Sequence, residues 1–423
     1  MTESLREQIE RTEFGASPFW TWKPETWEAL RFLRTHAPVH WSEPDGLFVV
    51  SRFEDVSHVS KNHRIFCSGG GVLPGNPAKL GLIDEDEPRH TRLRRLINRG
   101  FTPRMVQKLE GTFREIVDET LDAVADRREC DFVDDIAVPI PLLLIAEMIG
   151  IRREDRKRFH QWSDDMILAQ GNLHDPEVVV RAGRAYGEYV AYVQDLLEER
   201  RREPRDDLLS VLLHAKEEGL LRDRDDVPAS PVASAMPAEE AERLHRDELL
   251  QFAVLLLVAG NETTRNALTG SMHLLIEHPD ARRELLAHPE KIPAAVEELL
   301  RLTSPVVSFL RTATRDTELR GRKVEKGQQV LMLYPSANRD ESVFPEPDRL
   351  DIDRHPHHLA FGIGNHFCLG ANLARMELRV ALAEILRRFP DMDYAEGVEG
   401  PEMAPSALVR SFRHMRVRYS PER

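Results

Sequence analysis

The feature of the sequence that most restricts its folding is a ten-residue segment, residues 361–370, in which glycines surround one cysteine. Two glycines precede Cys368 and a third follows it. Glycines allow the backbone to pass close to the sulfur and to turn amide groups toward it. An amphipathic helix is predicted directly after the segment, and the positive end of its dipole favours a thiolate over a thiol. An activated thiolate of this kind suits either a nucleophile, with His366 as its base, or a metal ligand.

Composition narrows the class of protein further. The 423 residues include 58 basic and 72 acidic side chains, which give a formal net charge of −14. A nucleic-acid binder needs a basic surface, so this balance argues against one. Hydrophobic residues make up 41% of the chain, which is enough for a large core. The three cysteines, at 67, 130 and 368, show neither a disulfide framework nor paired zinc spacing, which suits a reducing cytoplasm.

Neither a targeting segment nor a membrane anchor is expected. The first residues are polar and charged, with no apolar signal-peptide core. The longest uncharged apolar runs, 136–146 and 252–260, have about half of the ~20 residues that a spanning helix needs. We therefore expect a cytoplasmic protein.

The predicted fold class is mainly α with a minor β region, in a single domain over residues 1–423. Apolar spacing of the 3.6-residue type predicts helices at 105–127, 178–202, 208–218, 247–278 and 371–389. Short strands are predicted at 39–41, 47–51, 312–314 and 330–333. Residues 222–246 are rich in Pro, Ala, Ser and acidic side chains, which predicts an extended loop between helices.

Two further motifs lie on the predicted helices. Glu298 and Arg301 are three residues apart, so their side chains share a helix face. The long helix contains Gly260, Glu262 and Thr263 within an otherwise apolar stretch. A mid-helix glycine opens a groove, and a threonine hydroxyl can bond back to a carbonyl one turn earlier. A carboxyl group, a hydroxyl group and a glycine close together in an apolar helix indicate a functional role rather than packing alone.

Taken in order along the chain, these motifs resemble those of the cytochrome P450 family. The pattern Phe-Gly-x-Gly-x-His-x-Cys-x-Gly of that family's cysteine loop is matched at every fixed position in residues 361–370. The resemblance runs from about residue 84 to the C-terminus. It implies the cytochrome P450 fold, with haem b held between the long helix and the cysteine loop. It also implies that Cys368 is the thiolate ligand of the haem iron.

The resemblance assigns roles to the other motifs by their position. In the cysteine loop it implies that Phe361 packs near the sulfur and that His366 contacts a haem propionate. Glu262 and Thr263 match the family's oxygen-activation motif, in which the hydroxyl assists oxygen activation and the acid relays solvent protons. The other implied residues are the propionate partners His90, Arg94 and Arg311, the cofactor-loop residue Gly370, and the structural ion-pair triad Glu298, Arg301 and Arg349.

The substrate is expected to be hydrophobic and mostly uncharged, and to be held by shape. By family position, with plain core packing as the alternative for each residue, the pocket is expected to be lined by Val72, Leu73, Leu82, Met166, Leu256, Ala259, Val306, Val307, Phe309 and Leu408, together with Leu80 and the segment 166–173. Residues 261–266 and 304–307 resemble those of bacterial members that hydroxylate steroids, sterols and branched lipids. The expected reaction inserts one oxygen atom of O₂ into a C–H bond of a steroid, terpenoid or lipid-like molecule.

The chain carries no flavin, iron–sulfur or dinucleotide-binding motif, so electrons are expected from a separate protein. By family position, a ferredoxin, itself reduced by a ferredoxin reductase, is expected to dock on a basic patch formed by Arg92, Arg95, Arg99, Arg375 and Arg379.

Three alternatives to a monooxygenase are a peroxygenase that uses H₂O₂, a non-catalytic haem-thiolate sensor, and a thiol hydrolase built on Cys368 and His366. The Glu262–Thr263 pair argues against the peroxygenase, because such members usually lack it.

Overall fold

A computed structural model describes residues 2–74, 81–169, 175–217 and 238–420. The chain folds into two compact units. The first comprises Met1–Lys79, Leu109–Pro141 and Glu262–Arg423, and the second comprises Leu80–Lys108 and Leu142–Asn261. The cysteine loop lies in the first unit. The prediction of one domain over residues 1–423 stays a prediction.

Helices dominate the described residues, which confirms the predicted fold class. The α-helices are α1 Thr2–Glu10, α2 Pro24–His36, α3 Phe53–Lys61, α4 Arg89–Ile97, α5 Pro103–Asp122, α6 Pro139–Ile149, α7 Arg156–Ala169, α8 Pro176–Arg202, α9 Leu208–Glu217, α10 Ala238–Glu277, α11 Pro279–Ala287, α12 Ile292–Thr303, α13 Tyr334–Ala337 and α14 Ala371–Arg388. Among these helices, none has both the length and the apolar composition needed to cross a lipid bilayer.

The strands of the described residues all belong to the first unit. They are β1 Val39–Ser42, β2 Leu47–Val50, β3 Phe66–Cys67, β4 Glu129–Asp131, β5 Ser308–Ala313, β6 Thr317–Leu319, β7 Arg322–Val324, β8 Gln329–Leu333, β9 Asp393–Tyr394, β10 Glu402–Ala404, β11 Ser411–His414 and β12 Arg416–Arg418. The largest sheet has the order β1-β2-β8-β5-β3 and contains all four predicted strands. In it β2 and β8 are parallel, whereas the other neighbours are antiparallel.

Both faces of the five-stranded sheet are buried. Leu47 and Val49 of β2 enter one hydrophobic cluster, whereas Phe48 and Val50 enter another. This division follows from the two-residue period of a strand, which sends successive side chains to opposite faces. Because each face packs against its own cluster, β2 is a continuous apolar run rather than an alternating one.

The long helix α10 begins at Ala238 rather than at residue 247. The predicted loop over residues 222–246 is therefore wrong for residues 238–246, while its residues 222–237 lie outside the described part of the chain. Residues 238–246 are mostly alanine, glutamate, arginine and leucine. These residue types have high helix propensity, which explains why the segment is helical despite its polarity.

Helix α10 passes very close to the end of α12 at Gly270. A Cβ atom at this position would lie 2.4 Å from Cγ2 of Thr303 and 3.2 Å from the Phe412 ring. Both neighbours are buried, so neither can move aside freely. Glycine at this point of the helix is therefore a packing requirement.

We predict that Gly270→Ala lowers the free energy of unfolding by about 1–3 kcal/mol, because the added methyl overpacks the contact with Thr303. The matched control is Gly187→Ala in α8, where an added Cβ would meet no atom of the described residues within 4 Å. That control should raise the free energy of unfolding by roughly 0.5–1 kcal/mol through helix propensity. Chemical denaturation of both variants measures the difference, and stabilisation by both would contradict the close packing of Gly270.

Packing between α14 and α10 buries a carboxyl group. Glu377 of α14 is only 3% exposed, and its partner is the hydroxyl of Thr264 in α10. Burial raises the pKa of Glu377 to about 8, although the Thr264 hydrogen bond acts in the opposite direction. At neutral pH the group is therefore largely protonated, which avoids the cost of a buried charge.

The raised pKa of Glu377 predicts a stability that falls as pH rises. Between its ordinary pKa of 4.5 and its folded value of about 8, the folded protein holds a proton that the unfolded chain has lost. We expect Glu377→Gln to remove this dependence and to raise the melting temperature at about pH 8 more than at about pH 5. Melting curves of both proteins across this range test it, and parallel pH profiles would contradict it.

Candidate active site at the Cys368 loop

The cysteine loop is held in shape by its own backbone. The N–H of Cys368 donates to the carbonyl of Phe361 at 2.9 Å. Gly364 has a φ of 80°, and a Cβ atom there would lie 2.9 Å from the carbonyl oxygen of Ser60 in α3. Only glycine permits both this left-handed backbone and this close approach. Helix α14 begins at Ala371, so its N-terminal amides follow the cysteine directly, as predicted.

The three cysteines differ in accessibility. Cys368 is exposed, Cys67 is half-buried in β3, and Cys130 is buried. Burial raises the pKa of Cys130 to about 12, so its thiol stays protonated and inert. Next to Cys368, Phe367 is 39% exposed, which is high for an aromatic side chain. An accessible thiol beside an apolar ring and a helix N-terminus fits the thiolate ligand of a large apolar cofactor such as haem.

Arg375, which was predicted to be a docking cation, is paired with a carboxylate, and its docking role stays a prediction. Its Nε and Nη2 atoms donate to the two carboxylate oxygens of Glu297 at 2.7 and 2.8 Å. Its guanidinium carbon lies 4.6 Å from the centre of the Phe361 ring. A bidentate pair with a carboxylate fixes the plane of the guanidinium and offsets its positive charge. Less of that charge then remains to attract a docking partner. The sequence gives no indication of this pair, because Glu297 is distant along the chain.

The other predicted docking arginines differ in how far they are paired. Arg379, on the same helix, is 2.8 Å from a carboxylate oxygen of Glu110. In the second unit, Arg92 lies 3.9 Å from Glu248, and Arg95 is exposed. The side chain of Arg99 lies outside the described residues. The two arginines of α14 therefore contribute less net positive charge than the sequence predicts.

The predicted ion-pair triad is corrected at its third member. Glu298 and Arg301 are fully buried and form a bidentate pair at 2.7 and 2.8 Å. The second arginine on Glu298 is Arg354, at 3.0 Å, and not Arg349. The side chain of Arg349 is 63% exposed and pairs with Glu346. Sequence position does not distinguish two arginines five residues apart in an irregular segment, so only the structure identifies the partner.

The Glu262 carboxylate on α10 is buried, and each of its oxygens lies close to a polar side chain. Its Oε2 lies 2.7 Å from Nη2 of Arg265, and its Oε1 accepts from Nδ2 of Asn266 at 2.8 Å. Asn266 in turn accepts a hydrogen bond from the N–H of Phe412 in β11 at 3.0 Å. The neighbouring Thr263 is half-buried. The acid is thus held away from solvent by partners three and four residues later, a spacing that the sequence already contains.

The predicted propionate partners are distributed over both units. In the second unit His90 and Arg94 are four residues apart on α4, and His90 is 2% exposed. Burial and the nearby Arg94 lower the pKa of His90 despite the hydrogen bond with Glu87, so it is a neutral donor at pH 7. In the first unit Arg311 is 5% exposed, and Nε2 of His366 lies 3.1 Å from Oγ of Ser68.

Gly370 precedes α14 as its N-cap residue. A Cβ atom there would meet no atom of the described residues within 4 Å, so this position faces open space. Its predicted place in the cofactor loop stays a prediction.

The predicted pocket residues divide by exposure. Val307 and Val72 are 0% and 2% exposed, and their place in the pocket stays a prediction. Leu82, Met166 and Leu256 are each 8% exposed. The predicted residues with more accessible surface are Leu73, Ala259, Val306, Phe309 and Leu408. Leu80 and residues 170–173 lie outside the described part of the chain.

Backbone pairing brings several of these segments together in the first unit. The N–H of Leu310 donates to the carbonyl of Val72 at 2.8 Å, and the N–H of Val307 donates to that of Leu408 at the same distance. Val306 also forms a bridge with Val409. The segments around residues 72, 306–310 and 407–409 are therefore neighbours, as their predicted common role requires.

Comparison with known proteins is consistent with this geometry. Residues 36–410 match the family model described as Cytochrome P450. The chain is 36% identical over 395 residues to a steroid C26-monooxygenase of Mycolicibacterium smegmatis, covering 93% of this chain and 92% of that protein. It is 39% identical over 399 residues to cytochrome P450 130 of Mycobacterium tuberculosis, covering 91% and 93%.

A solved structure extends the likeness to the fold. CYP109E1 of Bacillus megaterium, in complex with corticosterone, aligns with a TM-score of 0.81 at 32% identity, covering 94% of this chain and 98% of that one. The family binds haem b through a cysteine thiolate, so the alternative of a thiol hydrolase is set aside. The chain belongs to the cytochrome P450 family and is a haem b monooxygenase.

Proposed function

We propose that this monooxygenase hydroxylates a steroid. The supporting observation is that two separate comparisons lead to the same ligand class. The relative from M. smegmatis is named a steroid C26-monooxygenase, and the structure of CYP109E1 contains corticosterone. Both alignments extend over more than nine-tenths of this chain.

In this proposal Cys368 is the thiolate ligand of the haem iron. When bound, the haem supplies the activation of dioxygen and the transfer of one oxygen atom to a C–H bond. The chain contributes the fixed position of the sulfur, because the Phe361 carbonyl holds the Cys368 N–H. The N-terminus of α14 stabilises the negative charge on the sulfur.

Thr263 and Glu262 are proposed to deliver protons. Thr263 is half-buried and directly follows Glu262 on α10, and in this proposal its hydroxyl holds a water that takes part in proton transfer. Both carboxylate oxygens of Glu262 are engaged, one by Arg265. Glu262 must therefore turn away from Arg265 before it can pass a proton from solvent to Thr263. This rotation couples proton supply to a movement of α10 side chains.

The apolar residues that retain accessible surface support a rigid, uncharged substrate. Val306, Phe309 and Leu408 are half-buried and come from segments that pair with one another. A steroid presents a large apolar surface with few polar groups, which such a lining recognises by shape.

Electrons are proposed to come from a separate ferredoxin. The Glu262–Thr263 pair supports this donor over hydrogen peroxide, because a peroxide-driven enzyme needs no relay of solvent protons. Arg92, which lies 3.9 Å from Glu248, and the exposed Arg95 are proposed as the main docking cations, because carboxylates pair closely with Arg375 and Arg379.

Steroid binding predicts a change in the haem spectrum. Corticosterone, testosterone and a steroid that retains the side chain with carbon 26 are titrated into the purified holoenzyme, with a saturated fatty acid as the comparison. We expect the steroids to displace water from the haem and shift the Soret band to the high-spin position at micromolar concentration. A shift with the fatty acid and none with any steroid would contradict the substrate class.

Proton delivery by Thr263 predicts uncoupling in Thr263→Ala. Product formed per NADPH consumed, in the presence of ferredoxin and its reductase, should fall by about tenfold or more while hydrogen peroxide accumulates. The control is Ser271→Ala on the same helix, whose hydroxyl donates to the Ala267 carbonyl. Equal coupling in wild type and Thr263→Ala would contradict the relay, and no product from either protein would favour a sensor.

A further inference from the structure

A group of four side chains links two helices to the start of the cysteine loop. Glu297 extends from α12 and Arg375 extends from α14, whereas His358 precedes the loop and Phe361 is its first residue. We call this group the Phe361 clamp. No motif of the sequence predicts it as a unit.

The centre of the Phe361 clamp is the Glu297 carboxylate. Arg375 donates to both of its oxygens, at 2.7 and 2.8 Å. Nε2 of His358 lies 3.2 Å from its Oε2. Burial alone would raise the pKa of Glu297, but the hydrogen bonds from Arg375 and His358 outweigh it and lower the pKa to about 2. The carboxylate is therefore charged throughout the pH range in which the enzyme is handled.

The hydrogen bonds of His358 fix its tautomer. Its Nδ1 accepts the N–H of Ala360 at 3.1 Å, so that nitrogen carries no proton. Nε2 then carries the proton and donates to Glu297. The side chain of His358 is 2% exposed, so water does not compete for these bonds. The imidazole thus joins the Glu297 carboxylate to the backbone just before Phe361.

The Arg375 guanidinium and the His358 imidazole both lie against the Phe361 ring. The guanidinium carbon of Arg375 is 4.6 Å from the ring centre, and the His358 ring centre is 5.8 Å away. A planar guanidinium held by two hydrogen bonds is a rigid surface for stacking. The ring is therefore restrained by groups whose own positions are set by Glu297.

The backbone of Phe361 transmits this restraint to the cysteine. Its carbonyl accepts the N–H of Cys368 at 2.9 Å. We infer that Glu297 is a positioning residue for the haem ligand, acting through Arg375 and His358 to fix Phe361 and thereby the Cys368 backbone. This inference rests on the proposed role of Cys368 as the thiolate ligand.

The consequence for the ligand is electronic as well as geometric. A loosened loop admits water to the sulfur, and hydrogen bonds to a thiolate withdraw electron density that the iron otherwise receives. Less donation from sulfur makes the iron easier to reduce, and the admitted water also supplies a proton for conversion of the thiolate to a neutral thiol. A change at Glu297 should therefore alter the spectrum and the potential of the haem, although no atom of Glu297 belongs to the cysteine loop.

The experiment compares purified holoenzymes of the wild type, Glu297→Gln and Arg375→Lys. Glu297→Gln keeps the side-chain shape and removes the charge, whereas Arg375→Lys keeps the charge and removes the bidentate fork and the planar stack. The matched control is Glu290→Gln, a neighbouring exposed acid whose partner is His288. The readouts are the reduction potential, the Soret band of the reduced carbon monoxide complex, and the melting temperature.

We expect both clamp variants to have a more positive reduction potential than Glu290→Gln. We also expect a several-fold faster conversion of the thiolate-type carbon monoxide spectrum to the neutral-thiol type. A clamp variant that loses melting temperature but keeps the potential and the spectrum would overturn the inference in favour of a purely structural role. Should one variant fail to fold, the other decides by the same readouts.

Two failures can be told apart. A wild-type enzyme without the thiolate-type carbon monoxide spectrum overturns the proposed ligand, and the inference with it. A wild-type enzyme with that spectrum, whose clamp variants match Glu290→Gln in potential and conversion rate, overturns only the role of Glu297.

Discussion

The first unit depends on the buried ion pair between Glu298 and Arg301. Both side chains are fully buried, so removing Glu298 would leave Arg301 as a buried charge without its carboxylate, at a cost of about 3–5 kcal/mol. Arg301 also donates to the carbonyls of Asn338 and Pro347. Arg354 binds the same Glu298 carboxylate at 3.0 Å. These bonds fasten the irregular chain that leads to the cysteine loop onto α12. The position of Cys368, the proposed haem ligand, therefore depends on the packing of α12.

The C-terminal end of α12 is held by two more buried arginines. Arg339 and Arg410 both donate to the carbonyl of Leu302, at 2.8 and 3.3 Å. These carbonyls are the negative end of the helix dipole, which favours cations. Arg339 also stacks on Trp27, with its guanidinium carbon 3.9 Å from the ring centre. A chain of net charge −14 therefore buries cations where helix carbonyls and aromatic rings compensate them.

The sequence predicts those parts of the site whose partners are close along the chain. The cysteine loop and the Glu298-x-x-Arg301 pair have fixed spacings, so a linear pattern specifies them fully. Arg354 was missed in favour of Arg349 because an irregular segment has no period from which to predict side-chain direction. The ion pair between Arg375 and Glu297 was missed for another reason, because ion pairs between distant elements depend on tertiary packing. Family position alone cannot distinguish a docking cation from a structural one.

Asn266 connects Glu262, the proposed proton-relay acid, to strand β11. Its Nδ2 donates a hydrogen bond to the Glu262 carboxylate, and its Oδ1 accepts one from the backbone N–H of Phe412. The exchange rate of the Phe412 amide proton therefore reports how often the hydrogen-bonded bridge between β11 and Glu262 opens.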